Sequence, residues 1–153
     1  MYFLLDEAGS INVYINKEPK VAKVRSKIPY TKVFTGDSNN VVFSIWGDSI
    51  QATKIYTFID QKLSDKDIER IIGVLGYIDQ TFPDCSHAKK FKHLVGDLWE
   101  IKSGQIRIAC IWNKTTLIAL YGIIKKCDAW PAQELRNAQN QRRLYFEKLK
   151  CEC

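Results

Sequence analysis

The stretch LWEIKSGQIRIACIWNKTTLIALYGII, residues 98–124, decides the fold. Its apolar residues recur at strand spacing and are interrupted twice, at Ser103-Gly104 and at Asn113-Lys114. The segments Leu98 to Lys102, Gln105 to Trp112 and Thr116 to Ile124 therefore read as a three-stranded antiparallel meander joined by tight turns. Upstream, Ser64-Asp65-Lys66-Asp67 resembles a helix cap. The helix it opens places Ile68, Ile71, Ile72, Leu75, Ile78 and Phe82 on one face, and Pro83 ends it. Before it, Asp48 or Ser49 caps a helix carrying Ala52, Ile55, Tyr56, Ile59 and Leu63. The two helices form a hairpin whose apolar side needs a sheet to cover.

Further out, Val41 to Trp46 is a compact apolar run ended by Gly47-Asp48 and reads as a buried strand. Downstream, Asp128 and Pro131 open a last helix with Leu135, Ala138, Leu144, Tyr145 and Leu149 along a looser stripe. The expected fold is α+β: strand, two-helix hairpin, three-stranded meander and C-terminal helix, around an antiparallel sheet. Residues 1–40 show no helical period. Ile11, Val13 and Ile15 alternate with polar residues, and Pro19, Pro29 and Gly36 punctuate, which predicts one or two short strands. The expected division is an N-terminal extension over 1–40, with no role assigned, and a main domain over 41–153.

At 153 residues and 46% hydrophobic, the chain can bury one core plus an appendage. No run approaches the roughly 18 apolar residues of a membrane span, and Asp6 and Glu7 follow a very short apolar start, unlike a secretory signal. A cytoplasmic protein with no membrane partner is expected. Five cysteines, with only Cys151 and Cys153 close together, suit free thiols in a reducing compartment. Lys and Arg number 23 against 17 Asp and Glu, a formal charge of +6 that favours polyanionic partners. The basic residues gather at 17–32, 89–93, 125–126 and in the last helix, where Arg142 and Arg143 lie off the apolar stripe.

With Ser103-Gly104 as a two-residue turn, Lys102 faces Gln105 and Glu100 faces Arg107, so Glu100 and Arg107 share a sheet face. One reading is a solvated cross-strand ion pair. The other is an arginine on an open face, oriented by Glu100 and available to a phosphate. Lys89-Lys90-Phe91-Lys92-His93 reads as a loop before the meander: either a merely solvated charge run, or cations flanking a stacking ring with a histidine that titrates near neutrality. Lys125-Lys126 ends the last strand. Together Lys92, His93, Arg107 and Lys126 are expected to converge on one region with neither a carboxylate pair nor a metal set, so no metal and no cofactor are expected. Such a site can hold an RNA phosphate, stabilise charge as a 2′-hydroxyl attacks, and protonate the leaving oxygen. His87 and His93 are the only histidines, so a two-histidine mechanism would need both in one site. There is no glycine-rich phosphate loop and no nucleophile elbow.

Leu98-Trp99-Glu100-Ile101-Lys102, then Arg107, then Tyr121-Gly122-Ile123-Ile124-Lys125-Lys126, then Pro131, Glu134-Leu135 and Ala138 resemble the RelE/HigB toxin superfamily, in its phage-related HigB branch. The match covers about residues 41–149. The resemblance implies a type II toxin that cuts mRNA in the ribosomal A site with basic residues in place of the usual acid and base. It also implies a small HigA-like antitoxin, often with a helix-turn-helix. By position, Arg107 matches the arginine that binds the scissile phosphate, and Lys126 a basic residue after the last strand. Lys92 and His93 fall in the variable basic segment, and Tyr121 stands where histidine is common. Lys89, Lys90, Lys102, Lys125, Arg142 and Arg143 are the expected RNA contacts, with Trp99 and Glu100 structural or orienting. Ile106 and Lys102 depart from the family's aromatic and arginine, so stacking or proton transfer is either supplied by Tyr121 or Tyr145 or lost. Two alternatives stay open: a ParE-like toxin directed at DNA gyrase, and a non-catalytic phage-derived module that holds RNA or a protein partner by its basic face, with Lys17, Lys20, Lys23, Arg25 and Lys27 making the extension a candidate functional part. Nothing in the sequence specifies an oligomeric state.

Overall fold

A computed structural model describes residues 2–5, 11–14, 30–35, 40–47, 53–125 and 129–152. The sheet strands are β3 (Tyr30–Thr35), β4 (Val42–Trp46), β5 (Phe91–Val95), β6 (Leu98–Ser103), β7 (Ile106–Asn113) and β8 (Thr116–Ile124). They form one six-stranded sheet in the order β3-β4-β8-β7-β6-β5. β1 (Tyr2–Leu5) and β2 (Ile11–Tyr14) form a separate antiparallel pair. The helices are α1 (Lys54–Lys62), α2 (Asp65–Thr81) and α3 (Ala132–Glu152). The α+β class stands, and the elements read from the sequence follow in the expected order, with β3 added ahead of the first strand and β5 ahead of the meander.

Three features differ from the sequence reading. β4 runs parallel to β8, from Val42↔Thr116 to Ile45↔Ala119, so the sheet is mixed. β3 lies in residues 1–40 yet pairs with β4, from Tyr30↔Trp46 to Thr35↔Val42, and joins the main sheet. The segment containing Lys92 and His93 is not a loop but the edge strand β5, paired from Phe91↔Ile101 to Val95↔Leu98.

Side chains alternate across this sheet, and each face meets its own helix layer. Phe43, Ile45, Ile101, Ile108, Cys110, Leu117 and Ala119 lie under α1 and α2, around an apolar cavity of about 80 Å³. Gly122 permits the closest approach, since a Cβ there would lie 2.2 Å from the Phe58 ring of α1. α2 buries Ile68, Ile71, Val74 and Ile78, and its capping box is formed by Ser64 and Asp67 as the sequence suggests. For α1 the cap is Thr53 rather than Asp48 or Ser49, which lie outside the described residues. The Thr53 hydroxyl accepts from the Tyr56 N–H at 3.3 Å and donates to the Trp46 carbonyl at 2.9 Å, which ties the helix start to β4. Asp79, fully buried on α2, accepts from the backbone N–H of Asn40 and Val41, each at 2.9 Å, and fixes the entry of β4.

The opposite face is covered by α3. Tyr145 is buried against Trp46, edge-on at 6.2 Å, and the Tyr121 hydroxyl donates to Glu134 at 2.5 Å while accepting from Asn137 at 3.2 Å. Among the described residues no helix is long and apolar enough to cross a membrane.

Candidate functional site

The β6–β7 turn sets the geometry. Gly104 adopts φ +59°, and the turn residues are Gly104 and Gln105, not Ser103 and Gly104, because Ser103 pairs with Ile106 and Lys102 with Arg107. This moves the expected register by two residues, and a two-residue shift preserves the face of every side chain. Glu100 therefore lies diagonal to Arg107, on the same face. Lys92 pairs with Glu100 and joins them, and Lys125 follows Ile123, which pairs with Arg107, onto that face. The Lys125 N–H donates to the Gln105 carbonyl at 2.9 Å, which prolongs the β8 ladder past its last strand residue.

Arg107 Nε stands 3.0 Å from Glu100 Oε1, and Lys125 Nζ stands 3.8 Å from the same oxygen. The Arg107 Nε and the two Glu100 oxygens make no aligned hydrogen bond, so the attraction is chiefly that of charge on charge. Glu100 is 1% exposed, Lys125 5% and Arg107 8%, which corrects the expectation that Arg107 stands on an open face. Arg107 Nη1 donates to the carbonyls of Gly104 at 2.5 Å and Ile106 at 2.9 Å, so the turn itself holds the guanidinium. Lys92 and Lys102 are half-buried at the rim. Burial holds the Lys125 ammonium below its usual range. The Glu100 charge opposes that shift, and Arg107, Lys102 and Lys92 reinforce it. Four cations thus act on one another around a single carboxylate.

The other expected site residues are distributed differently. His93 pairs with Trp99 on the opposite side of the sheet from Lys92 and Glu100; its ring is edge-on to Trp99 at 5.7 Å and its Nε2 lies 2.6 Å from the Gly96 carbonyl. It does not join the cluster. Lys90 lies over the Tyr77 ring of α2 at 4.6 Å, and Lys89 is exposed beside it. Phe91 is fully buried and stacked under Trp99 at 4.9 Å, so it is not the exposed stacking ring the sequence suggested. His87 packs against Tyr77 at 5.4 Å, remote in register from Arg107. Arg142 is bound through both its Nε and Nη2 to Asp97 of the β5–β6 turn, the latter at 2.7 Å, and Arg143 pairs with Glu147 at 2.6 Å within α3. Both lie apart from the cluster. Lys126 lies outside the described residues. Tyr121 is on the cluster's face, but burial and its bond to Glu134 push its hydroxyl above the usual range, which suits an anchor for α3 rather than a base.

The central place of Lys125 was missed by position matching. Its signal was the alternation Tyr121, Ile123, Lys125, which puts it on the arginine's face. Among the described residues no three His, Cys, Asp or Glu side chains gather that could hold a metal ion. Burial pushes the thiols of Cys85 and Cys110 upward, Cys110 strongly, so neither is poised as a nucleophile.

Fold and cluster together define a small α+β protein with four cations gathered around one carboxylate at one end of a sheet face. Residues 61–143, more than half of the chain, match the family described as Phage derived protein Gp49-like (DUF891), and the chain belongs to that family. No curated protein matches the sequence.

Proposed function

We propose that this protein is the toxin of a type II toxin–antitoxin system, a RelE/HigB-type endonuclease that cuts mRNA on the ribosome and is neutralised in the cytoplasm by a HigA-like helix-turn-helix antitoxin. The observation that carries the reading is the convergence of Arg107, Lys125, Lys92 and Lys102 around Glu100 on one sheet face. An RNA phosphate brings the negative charge that this cluster lacks. Lys92 and Lys102 at the rim would draw the backbone in, and Arg107, held by its turn, would stabilise charge building on the phosphorus oxygens as the 2′-hydroxyl attacks, its proton passing to water, and the bond from phosphorus to the 5′-oxygen breaks. Lys125 releases its proton more readily than an exposed lysine, which suits it to protonate the leaving 5′-oxygen. Membership of a phage-derived family and the motif spacing of residues 98–138 support the same reading.

A second reading, a non-catalytic RNA-binding module, draws on the burial of Arg107 and the occupation of its Nη1 by two carbonyls. The two separate on one experiment. Induced expression of the native chain should arrest growth and yield cleaved, translated mRNA with mapped 5′ ends. The double substitution Lys92→Ala with Lys102→Ala, at half-buried rim positions that leave the core intact, should remove most of the cleavage, as should Arg107→Ala with Lys126→Ala. RNA bound but never cut by the native chain on programmed ribosomes would leave the module reading in its place.

A further inference from the structure

We propose that a second RNA contact lies on the opposite side of the sheet, at the corner formed by Trp99, His93 and Lys90, where an unpaired base stacks on Trp99 and its phosphates meet Lys89 and Lys90. The proposal goes beyond the endonuclease reading and takes from it only that the ligand is RNA.

The corner is built in layers. Phe91 forms the floor, fully buried. Trp99 lies over it nearly parallel, at 15° and 4.9 Å, and remains half-buried, so it is the outer plate of a two-ring stack. Trp112 and Phe82 brace the floor, Trp112 edge-on to Phe91 at 6.0 Å and 5.6 Å from Phe82. An outer aromatic plate held in one orientation by a buried one presents its ring to a base at little entropic cost. The His93 ring stands edge-on to Trp99 at 5.7 Å, and exposed Lys89 and Lys90 immediately precede Phe91 in the chain, Lys90 over the Tyr77 ring at 4.6 Å. The carboxylate on this stretch is Asp84, exposed ahead of His87; Asp97, at the following turn, is neutralised by Arg142. A partly exposed aromatic plate near exposed lysines is what unpaired RNA recognises, whereas a duplex, whose bases are stacked internally, gains only from the lysines.

The place of β5 in the sheet links the corner to the Arg107 cluster. β5 is the edge strand, and its consecutive residues Lys92 and His93 point to opposite faces. A single RNA strand crossing that edge would touch Lys92 and the cluster on one side, and the Trp99 corner on the other.

The test uses the full chain without ribosomes. Anisotropy of a labelled ten-nucleotide oligouridine RNA is measured against the purified protein over a salt series, beside a duplex RNA of equal length and an acidic peptide. The native chain should bind the single strand more tightly than the duplex. Trp99→Leu, which keeps apolar bulk over Phe91, should weaken single-strand binding about tenfold and leave duplex binding unchanged, and Trp99→Phe should restore most of the loss. Lys89→Ser with Lys90→Ser, both at exposed positions, should weaken binding to both RNAs and flatten the salt dependence while the thermal midpoint shows the variant folded. Equal binding of single strand and duplex, single-strand binding within twofold of native for folded Trp99→Leu, or binding of the peptide in place of RNA each overturns the proposal. Ribosomal cleavage that depends on Arg107 while RNA binding ignores Trp99 would sink the corner alone. Binding that depends on Trp99 without any cleavage would support the corner while the endonuclease reading falls.

Discussion

The two faces of one sheet solve different problems. Under α1 and α2 the sheet face is mainly apolar and held mainly by burial, with polar ties at its margins through Asp79 and Thr53, down to a glycine where the Phe58 ring comes close. Under α3 the sheet is held partly by polar contacts, Tyr121 to Glu134 and Asn137, and at one end it buries a carboxylate with two cations. Removing ions from water costs several kcal/mol each, so burying three of them is a poor way to gain stability. An apolar face was available to this sequence, since it makes one on the other side. The contrast teaches that the charged end of the α3 face is not accounted for by stability, which is what the proposed RNA site requires.

The largest test of that contrast is Glu100→Ala, which leaves Arg107 and Lys125 buried without their counter-charge. It should destabilise the protein by about 3–5 kcal/mol in urea unfolding. The sharper companion is the triple change Glu100→Leu, Arg107→Met and Lys125→Met. It should recover most of that loss or exceed the native stability while abolishing the proposed RNA cleavage, and a triple variant no more stable than Glu100→Ala would mean that the charges hold the fold. On the apolar face, Gly122→Ala should cost about 1–3 kcal/mol because its methyl group overlaps the Phe58 ring, and the thermal midpoint reports it. Next in size, Tyr121→Phe removes the bonds to Glu134 and Asn137. It should cost about 1 kcal/mol and speed amide exchange in α3 but not in α2.

The smallest effect belongs to Arg142→Ala. The pair with Asp97 is exposed at 39% and 49%, so less than about 1 kcal/mol survives solvent screening. Its pH signature is specific. The hydrogen bond from Arg142 holds the Asp97 carboxyl below its usual range. The native advantage over the variant should therefore be complete above the ordinary aspartate pKa of about 3.9 and fade as pH falls through the lowered value. A difference that grew in acid would contradict the pairing.

The sequence announced the apolar face and was ambiguous about the charged one, for physical reasons. The α2 stripe and the Ser64–Asp67 box are local signals, and local signals survive folding. The β5 segment, with two basic residues in five, carries no such signal; it is a strand because β6 offers it a ladder. The parallel pairing of β4 with β8 joins distant segments that no window of sequence compares. For the site, the face shared by Glu100 and Arg107 was legible despite the misplaced turn, because the period of two forgives an even shift. The grouping of His93 with Lys92 was not, because adjacent strand residues point apart and a loop reading hides that. The burial of Arg107 depends on the packing around its turn, beyond the reach of strand counting.

The parallel pairing also bears on when the site comes into being. As the chain leaves a ribosome, β4 emerges early, but its neighbour β8 follows only after both helices and the β5–β7 meander, so Val42 waits for Thr116. Contacts so far apart in sequence form slowly, after the long intervening segment has been closed into a loop. Lys125 comes later still, and α3 last of all. A nascent chain therefore has no assembled cationic cluster until β8 and Lys125 have followed the meander out, so the site proposed to act on translation cannot form early in its own synthesis.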